Sequence, residues 1–277
     1  MSSPVLADPL IVTVAPNGAY KGPQDHAALP LTAGSLAATA KDCLDAGAAM
    51  LHLHIRDADG RHSLDVEGYR AALRTIGAAV GRHLVLQVTS EAAGVYRPGQ
   101  QIAMVRELKP EAVSIGLREI DRPEAGADGT ADFFGWLARE RVMTQVILYD
   151  VADLQRWQAL RADGSIPDAP WFLLFVLGRY SATQTSSPRD LLPFVQAHAG
   201  PEPWAMCAFG ASEHACATAA AALGGHVRVG FENNLHLRDG RVAPDNAALV
   251  AQAASMAAVL GRPLARAEDV RARFHGG

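Results

Sequence analysis

The sequence predicts an α/β fold, a (β/α)8 TIM barrel forming a single domain over residues 1–277. Three observations carry this reading. Short apolar runs alternate eight times with alanine-rich segments of helical period, without a break. The strands are apolar on both faces, as parallel strands covered by helices should be. The longest irregular stretches, 16–31, 118–130 and 178–187, all follow strands, where this fold builds its active face. An open doubly wound sheet ranks lower. It would normally carry a glycine-rich fingerprint after its first strand, and "APNGAYKG" is not G-x-G-x-x-G.

The elements follow in order. "LIVTVA" (10–15) reads as the first strand, and Thr32 caps a helix through Ala46 that ends at Gly47. "AMLHLHI" (49–55) is the second strand, followed by a helix from Val66 to Val80 capped by Asp65. "LVLQVT" (84–89) is the third, and Pro98 opens a helix to Leu108. "AVSIGL" (112–117) is the fourth, with a helix from Ala131 to Glu140. "VMTQVIL" (142–148) is the fifth, with a helix from Val151 to Ala162. "WFLLFVL" (171–177) is the sixth, with a helix near 188–198. "PWAMCAF" (203–209) is the seventh, with a helix from Ser212 to Leu223. "HVRVGF" (226–231) is the eighth, and a helix over 245–260 closes the set.

Composition removes several classes of function. The net charge of -4 comes without a basic stripe or an acidic tail, so neither nucleic acid nor an anionic membrane is an expected partner. "MSSPVLADPL" lacks the basic and apolar blocks of a signal peptide. No apolar run approaches the roughly 18 residues of a membrane span. Cys43, Cys207 and Cys216 are odd in number and scattered, which fits a reducing cytoplasm and small core residues. The only lysines are Lys21, Lys41 and Lys109. None lies in a strand, which argues against a Schiff-base aldolase. An amidohydrolase would place H-x-H on its first strand and want further strand-end histidines, and strands five and six have none.

The chemistry concentrates at strand ends. His52 and His54 point the same way from the second strand, at its C-terminal end. Buried imidazoles need compensation, and three sources suit them: a metal ion, a hydrogen-bonded core pair, or a proton-handling site. Zinc takes imidazole nitrogen, and a catalytic zinc has three protein ligands and an open position. Glu232, just past the eighth strand and two strands away across the mouth, is the best-placed third ligand. Arg228 sits within that strand and needs a partner. Its structural reading is an ion pair with Glu91 or Asp57. Its functional reading is a grip on a substrate carboxylate or an enolate. Asp57 is expected to orient a histidine or Arg56. The remaining histidines, His62 and His226 among them, read as surface or structural.

The sequence resembles the β-keto acid cleavage enzyme family over essentially its whole length. The marks are "LIVTVAPNGA", "AGAAMLHLHIRDADG", "LQVTSEAAG" and "HVRVGFENNL". The resemblance implies a barrel with Zn²⁺ and a tendency to homotetramers. It implies that a β-keto acid and acetyl-CoA give acetoacetate and a new acyl-CoA. By position, His52, His54 and Glu232 match the zinc ligands, and Arg228 matches an arginine assisting deprotonation. Ser90 (or Thr89) and Ser114 fall where substrate-contacting hydroxyls stand, and Asn17 counts with Tyr20 and Thr89 as substrate-binding. Two positions depart from the best-known pattern. Asn233 stands where an aspartate serves in base catalysis, so Glu91 or zinc-bound hydroxide is the expected substitute. Tyr20 stands where a glutamate reads a substrate amino group, so the substrate is expected to lack one. A CoA-independent metal-dependent lyase or aldolase, and a non-catalytic metal-binding barrel, are the competing readings.

Overall fold

The structure is a computed structural model that describes residues 8–122 and 129–275. Eight parallel strands close into a barrel: β1 (Val12–Val14), β2 (Met50–Leu53), β5 (Val85–Thr89), β6 (Ala112–Gly116), β7 (Met143–Leu148), β8 (Phe172–Leu177), β9 (Trp204–Ala208) and β10 (His226–Val229). β1 closes the ring by pairing with both β2 and β10. The eight predicted strands are these eight, each trimmed to the residues that share a ladder. Leu10, placed in the first strand from sequence, instead bridges Leu264 below the barrel.

Helices α1 (Ala33–Asp45), α2 (Val66–Val80), α3 (Pro98–Leu108), α5 (Gly129–Arg139), α6 (Val151–Ala162), α7 (Leu192–Ala197), α8 (Glu213–Ala222) and α9 (Asn246–Val259) cover the outside. Their starts follow capping chemistry: the Thr32, Asp65, Asp150 and Asp245 side chains accept the first free backbone N–H groups. The sequence placed the caps of α1 and α2 at the same residues.

Three differences from the predicted elements have local causes. The run 49–55 splits after Leu53. Ile55–Arg56 (β3) leaves the barrel and pairs antiparallel with His62–Ser63 (β4). Asp57 makes the turn: its Oδ1 accepts the N–H groups of Asp59 and Arg61, and Gly60 turns the chain at φ 77°. Asp57 therefore orients neither a histidine nor Arg56, contrary to expectation. The stretch 118–130 begins as a helical turn, α4 (Leu117–Ile120); its middle, 123–128, lies outside the described residues, as do 1–7 of the N-terminal segment. A last helix, α10 (Ala267–Phe274), was not expected. Half of it is charged, but Ala267, Val270 and Phe274 share one face and seal the barrel floor. The Phe274 ring sits 4.7 Å from Phe172. Two or three apolar residues among charges give too weak a helical period to be read beforehand.

The alternation of strand side chains sorts the interior into layers. Val12, Leu51, Val88, Val113, Val146 and Phe175 face the helices. Met50, Val85, Met143 and Phe172 fill the lower barrel. Above them the inward positions turn polar: Thr13, His52, Gln87, Ser114, Gln145 and Arg228 are all buried. That polar layer is the base of the mouth. Among the described residues no helix is long and apolar enough to cross a membrane.

Candidate metal and substrate site

His52, His54 and Glu232 converge at the mouth as a group able to hold a metal ion. His52 Nε2 and His54 Nε2 are 3.1 Å apart, and each is 3.4 Å from Glu232 Oε2. Ligands about 2.0–2.1 Å from a tetrahedral centre stand about 3.3–3.4 Å from one another. The triangle has the spacing of one face of such a tetrahedron.

Hydrogen bonding fixes the imidazole tautomers. Gln87 Oε1 lies 2.9 Å from His52 Nδ1 and is an acceptor, so Nδ1 carries the proton and Nε2 a lone pair. His62 Nε2 lies 2.9 Å from the carbonyl of Glu91 and donates to it. His62 Nδ1 is then the acceptor for His54 Nδ1–H at 3.4 Å, which frees His54 Nε2 in turn. Burial pushes the His62 imidazole down to about 4, with His54 adding to the effect. Burial, then the Arg228 charge, push His52 well below its ordinary range. His52 and His62 are thereby held neutral, so the short approach of His52 to Glu232 is not an ion pair. Two lone pairs and a carboxylate oxygen point at one spot, and Glu232 Oε2 has no hydrogen-bond partner. A cation there satisfies all three at once; no neutral hydrogen-bond pattern does. The donor set fits a zinc-like ion.

Arg228 partners Glu232, not Glu91 or Asp57 as its structural reading had it. Its Nη2 donates to Glu232 Oε1 at 3.0 Å and approaches Cys207 Sγ at 3.5 Å. Glu232 thus divides its oxygens, one for the arginine and one for the histidines. Burial alone would raise the Glu232 carboxyl, but the Arg228 charge holds it well below the usual carboxylate range. Arg228 Nε and Nη1 have no partner, and the residue lines the chamber above the triangle.

The loop after β1 braces both sides of the triangle. Asn17 Nδ2 donates to the His54 carbonyl at 2.8 Å and its Oδ1 accepts the His54 N–H. Lys21 Nζ donates to the Glu232 carbonyl at 2.6 Å. Between them, Gly18 has φ 65°, and a Cβ there would stand 2.6 Å from Glu232 Cγ. Only glycine gives that close approach at that backbone angle.

The chamber narrows to about 20 Å³ above the triangle, room for one water-sized group. It shares Glu91, Arg179, Phe209 and Glu232 with an outer vestibule of about 560 Å³. The expected site residues distribute unevenly around these spaces. Thr89, Glu91 and Arg228 line the chamber; Tyr20, Asn17 and Glu91 line the vestibule. Glu91 Oε2 is 3.9 Å from His54 Nε2. The Tyr20 hydroxyl is pushed up to about 12 by burial and by the nearby Glu91 carboxylate.

Ser90, Ser114 and Asn233 line neither space. Ser90 Oγ donates to the Ser114 carbonyl at 2.9 Å, because it alternates with Thr89 and faces away. Ser114 is buried, and its hydroxyl has no partner. Asn233 is 3% exposed, with both amide atoms unpartnered. Gln87, His62, Glu119, Tyr149 and Arg179 were not anticipated. Gln87 carried a readable signal, a lone amide inside an apolar strand two residues before Thr89. Glu119 lies in the short turn α4, and Tyr149 and Arg179 sit in loops, where spacing carries no orientation.

A family model described as β-keto acid cleavage enzyme matches residues 9–275. The chain is 28% identical to 3-oxoadipate:acetyl-CoA acetyltransferase of Cupriavidus necator, over 96% of this chain and 95% of that one. It is 28% identical to 3-keto-5-aminohexanoate cleavage enzyme of Fusobacterium nucleatum, over 96% and 97%. Among solved structures, ObcA in a ternary complex with a C4-CoA adduct and oxalate superposes with a TM-score of 0.72 at 17% identity, over 89% of this chain and 67% of that one; this likeness speaks to the fold alone. With a closed eight-stranded barrel, a His-x-His and glutamate triangle at its mouth, and a family match across nearly all its length, the chain belongs to the β-keto acid cleavage enzymes.

Proposed function

We propose that the protein is a zinc-dependent acyltransferase that joins a β-keto acid and acetyl-CoA to give acetoacetate and a new acyl-CoA. The C2–C3 bond of the keto acid breaks, and its two-carbon carboxylate fragment takes the acetyl group while the remaining acyl group leaves on CoA. The observation that supports this most is the triangle of lone pairs on His52, His54 and Glu232, with both tautomers fixed by Gln87 and His62. When bound, zinc would supply Lewis-acid polarisation of the keto oxygen.

The chain's own groups do the rest. Glu91 has one carboxylate oxygen facing the triangle and stands where it can accept a proton from the methylene between the two carbonyls. Tyr20 lines the vestibule together with Glu91. Arg228 lines the chamber and has two N–H groups without a partner, close to where negative charge develops as that proton leaves. The vestibule of about 560 Å³ takes the bulk of the substrate. Asn233 cannot accept a proton at neutral pH and has no part in this scheme.

The test is a metal assay and a coupled CoA-ester assay on one sample, with a panel of β-keto acids. Zinc near one equivalent and acyl-CoA formed only with acetyl-CoA present are the expected results. Cleavage with acetyl-CoA omitted would instead establish a CoA-independent lyase, and bound zinc with no turnover across the panel would leave a binding barrel.

A further inference from the structure

A β-keto acid reading leaves the far end of the substrate undefined, and Arg179 faces the place where it would lie. Arg179 follows β8 and lines both the chamber and the vestibule. Its guanidinium stands over the rings of Tyr20 at 4.8 Å, Phe209 at 5.3 Å and Tyr180 at 5.9 Å. Those rings hold the group in place and give it no acceptor. Among the described residues its guanidinium makes no hydrogen bond. Its charged neighbour is Glu91, with Nη2 3.8 Å from Oε1, beyond hydrogen-bond range. A guanidinium carries five donors in a fork that matches a carboxylate. One that is mostly buried, fixed on three rings and without an acceptor is set to receive an anion.

Glu91 gives the direction. One of its oxygens faces His54 and the other faces Arg179, so it stands between the triangle and the guanidinium. A β-keto acid held by its keto and carboxylate oxygens at the triangle would extend its remaining chain past Glu91 toward Arg179. A cationic substituent would find Glu91 and Glu119 in the chamber, but the Arg179 charge beside Glu91 opposes it. Arg179 already covers Tyr20, Phe209 and Tyr180, and Arg118 covers Tyr149 at 4.9 Å.

We infer that Arg179 is a specificity residue that binds a terminal carboxylate, so that the substrate is a β-keto diacid. This rests on the β-keto acid reading above, and the experiment separates the two. Binding of a β-keto diacid, the isosteric monoacid with a terminal methyl group, and the ω-amino analogue is measured by calorimetry on zinc-loaded protein without acetyl-CoA. A charge-assisted bond of this kind discriminates by about 10- to 100-fold. Wild type should favour the diacid over the monoacid by that factor and bind the ω-amino analogue most weakly. Arg179→Gln should bring the diacid to monoacid ratio to within about twofold, and Arg179→Lys should keep part of it, with thermal melting to establish folding. Equal weakening of both acids by Arg179→Gln, which leaves their ratio unchanged, overturns the inference. So does tightest wild-type binding of the ω-amino analogue. If instead the charge preference holds but no keto acid yields an acyl-CoA, the acyl-transfer reading fails and the Arg179 assignment stands.

Discussion

His226 and His52 are buried in the same barrel, at its floor and its mouth, and are treated in opposite ways. His226 Nδ1 accepts the Ile11 N–H at 3.1 Å, and its ring packs edge-on against Phe172 at 5.7 Å. Burial, then the charges of Arg273 and Arg262, push it down to about 3. Its lone pair is used. His52 has its Nδ1–H used by Gln87, while its Nε2 lone pair faces another Nε2 and a carboxylate oxygen. Both rings are neutral and desolvated. What separates structure from function is where the lone pair points.

The contrast can be broken at its mouth end first. His52→Ala should remove most of the bound metal and lower turnover by at least about 10³-fold, because one of three ligands is gone. Elemental analysis after dialysis checks it, and full metal retention would remove His52 from the ligand set. The floor answers in stability instead. Phe274→Ala should cost about 3–5 kcal/mol in urea unfolding and leave the zinc stoichiometry of the folded protein alone. A loss below about 1 kcal/mol would mean that α10 does not seal the barrel.

Gln87→Leu should weaken zinc by about 10- to 100-fold in chelator competition, since the amide that fixes the His52 tautomer is lost. Unchanged affinity would return the tautomer to other causes. The smallest effect is a slope. His226 is depressed from an ordinary 6.5 to about 3 in the folded state, so its neutral form stabilises the fold fully above pH about 6.5. That contribution falls as pH drops toward about 3. His226→Gln, which keeps an acceptor for Ile11, should flatten the change of urea midpoint with pH over that window. An identical profile would show that other groups set it.

Much of this was legible beforehand. Eight apolar runs gave the barrel because buried parallel strands have a pattern that tertiary context does not override. His52, His54 and Glu232 were legible because strand periodicity and strand order place side chains at a mouth without any knowledge of loops. The limit came where orientation depends on a turn. Asp57 was read as a partner for a histidine, and it builds the hairpin that delivers His62 to His54. Ser90 and Thr89 are adjacent and hydroxylated, and one residue of alternation sends only Thr89 into the chamber. Arg179 follows a strand but hangs on aromatic rings from three separate segments, a contact that no spacing encodes.

The segment Asn17 to Lys21 touches the His54 backbone at one end and the Glu232 backbone at the other, with Gly18 pressed against the Glu232 side chain. Tyr20 in the same five residues reaches into the vestibule. The proposed splint for the ion and the proposed reader of the substrate thus come from one piece of chain. Altering this loop to admit a new side chain would also shift the geometry that holds the metal, so selection for new substrates should proceed more freely through the 178–187 loop, where Arg179 stands and no ligand is braced.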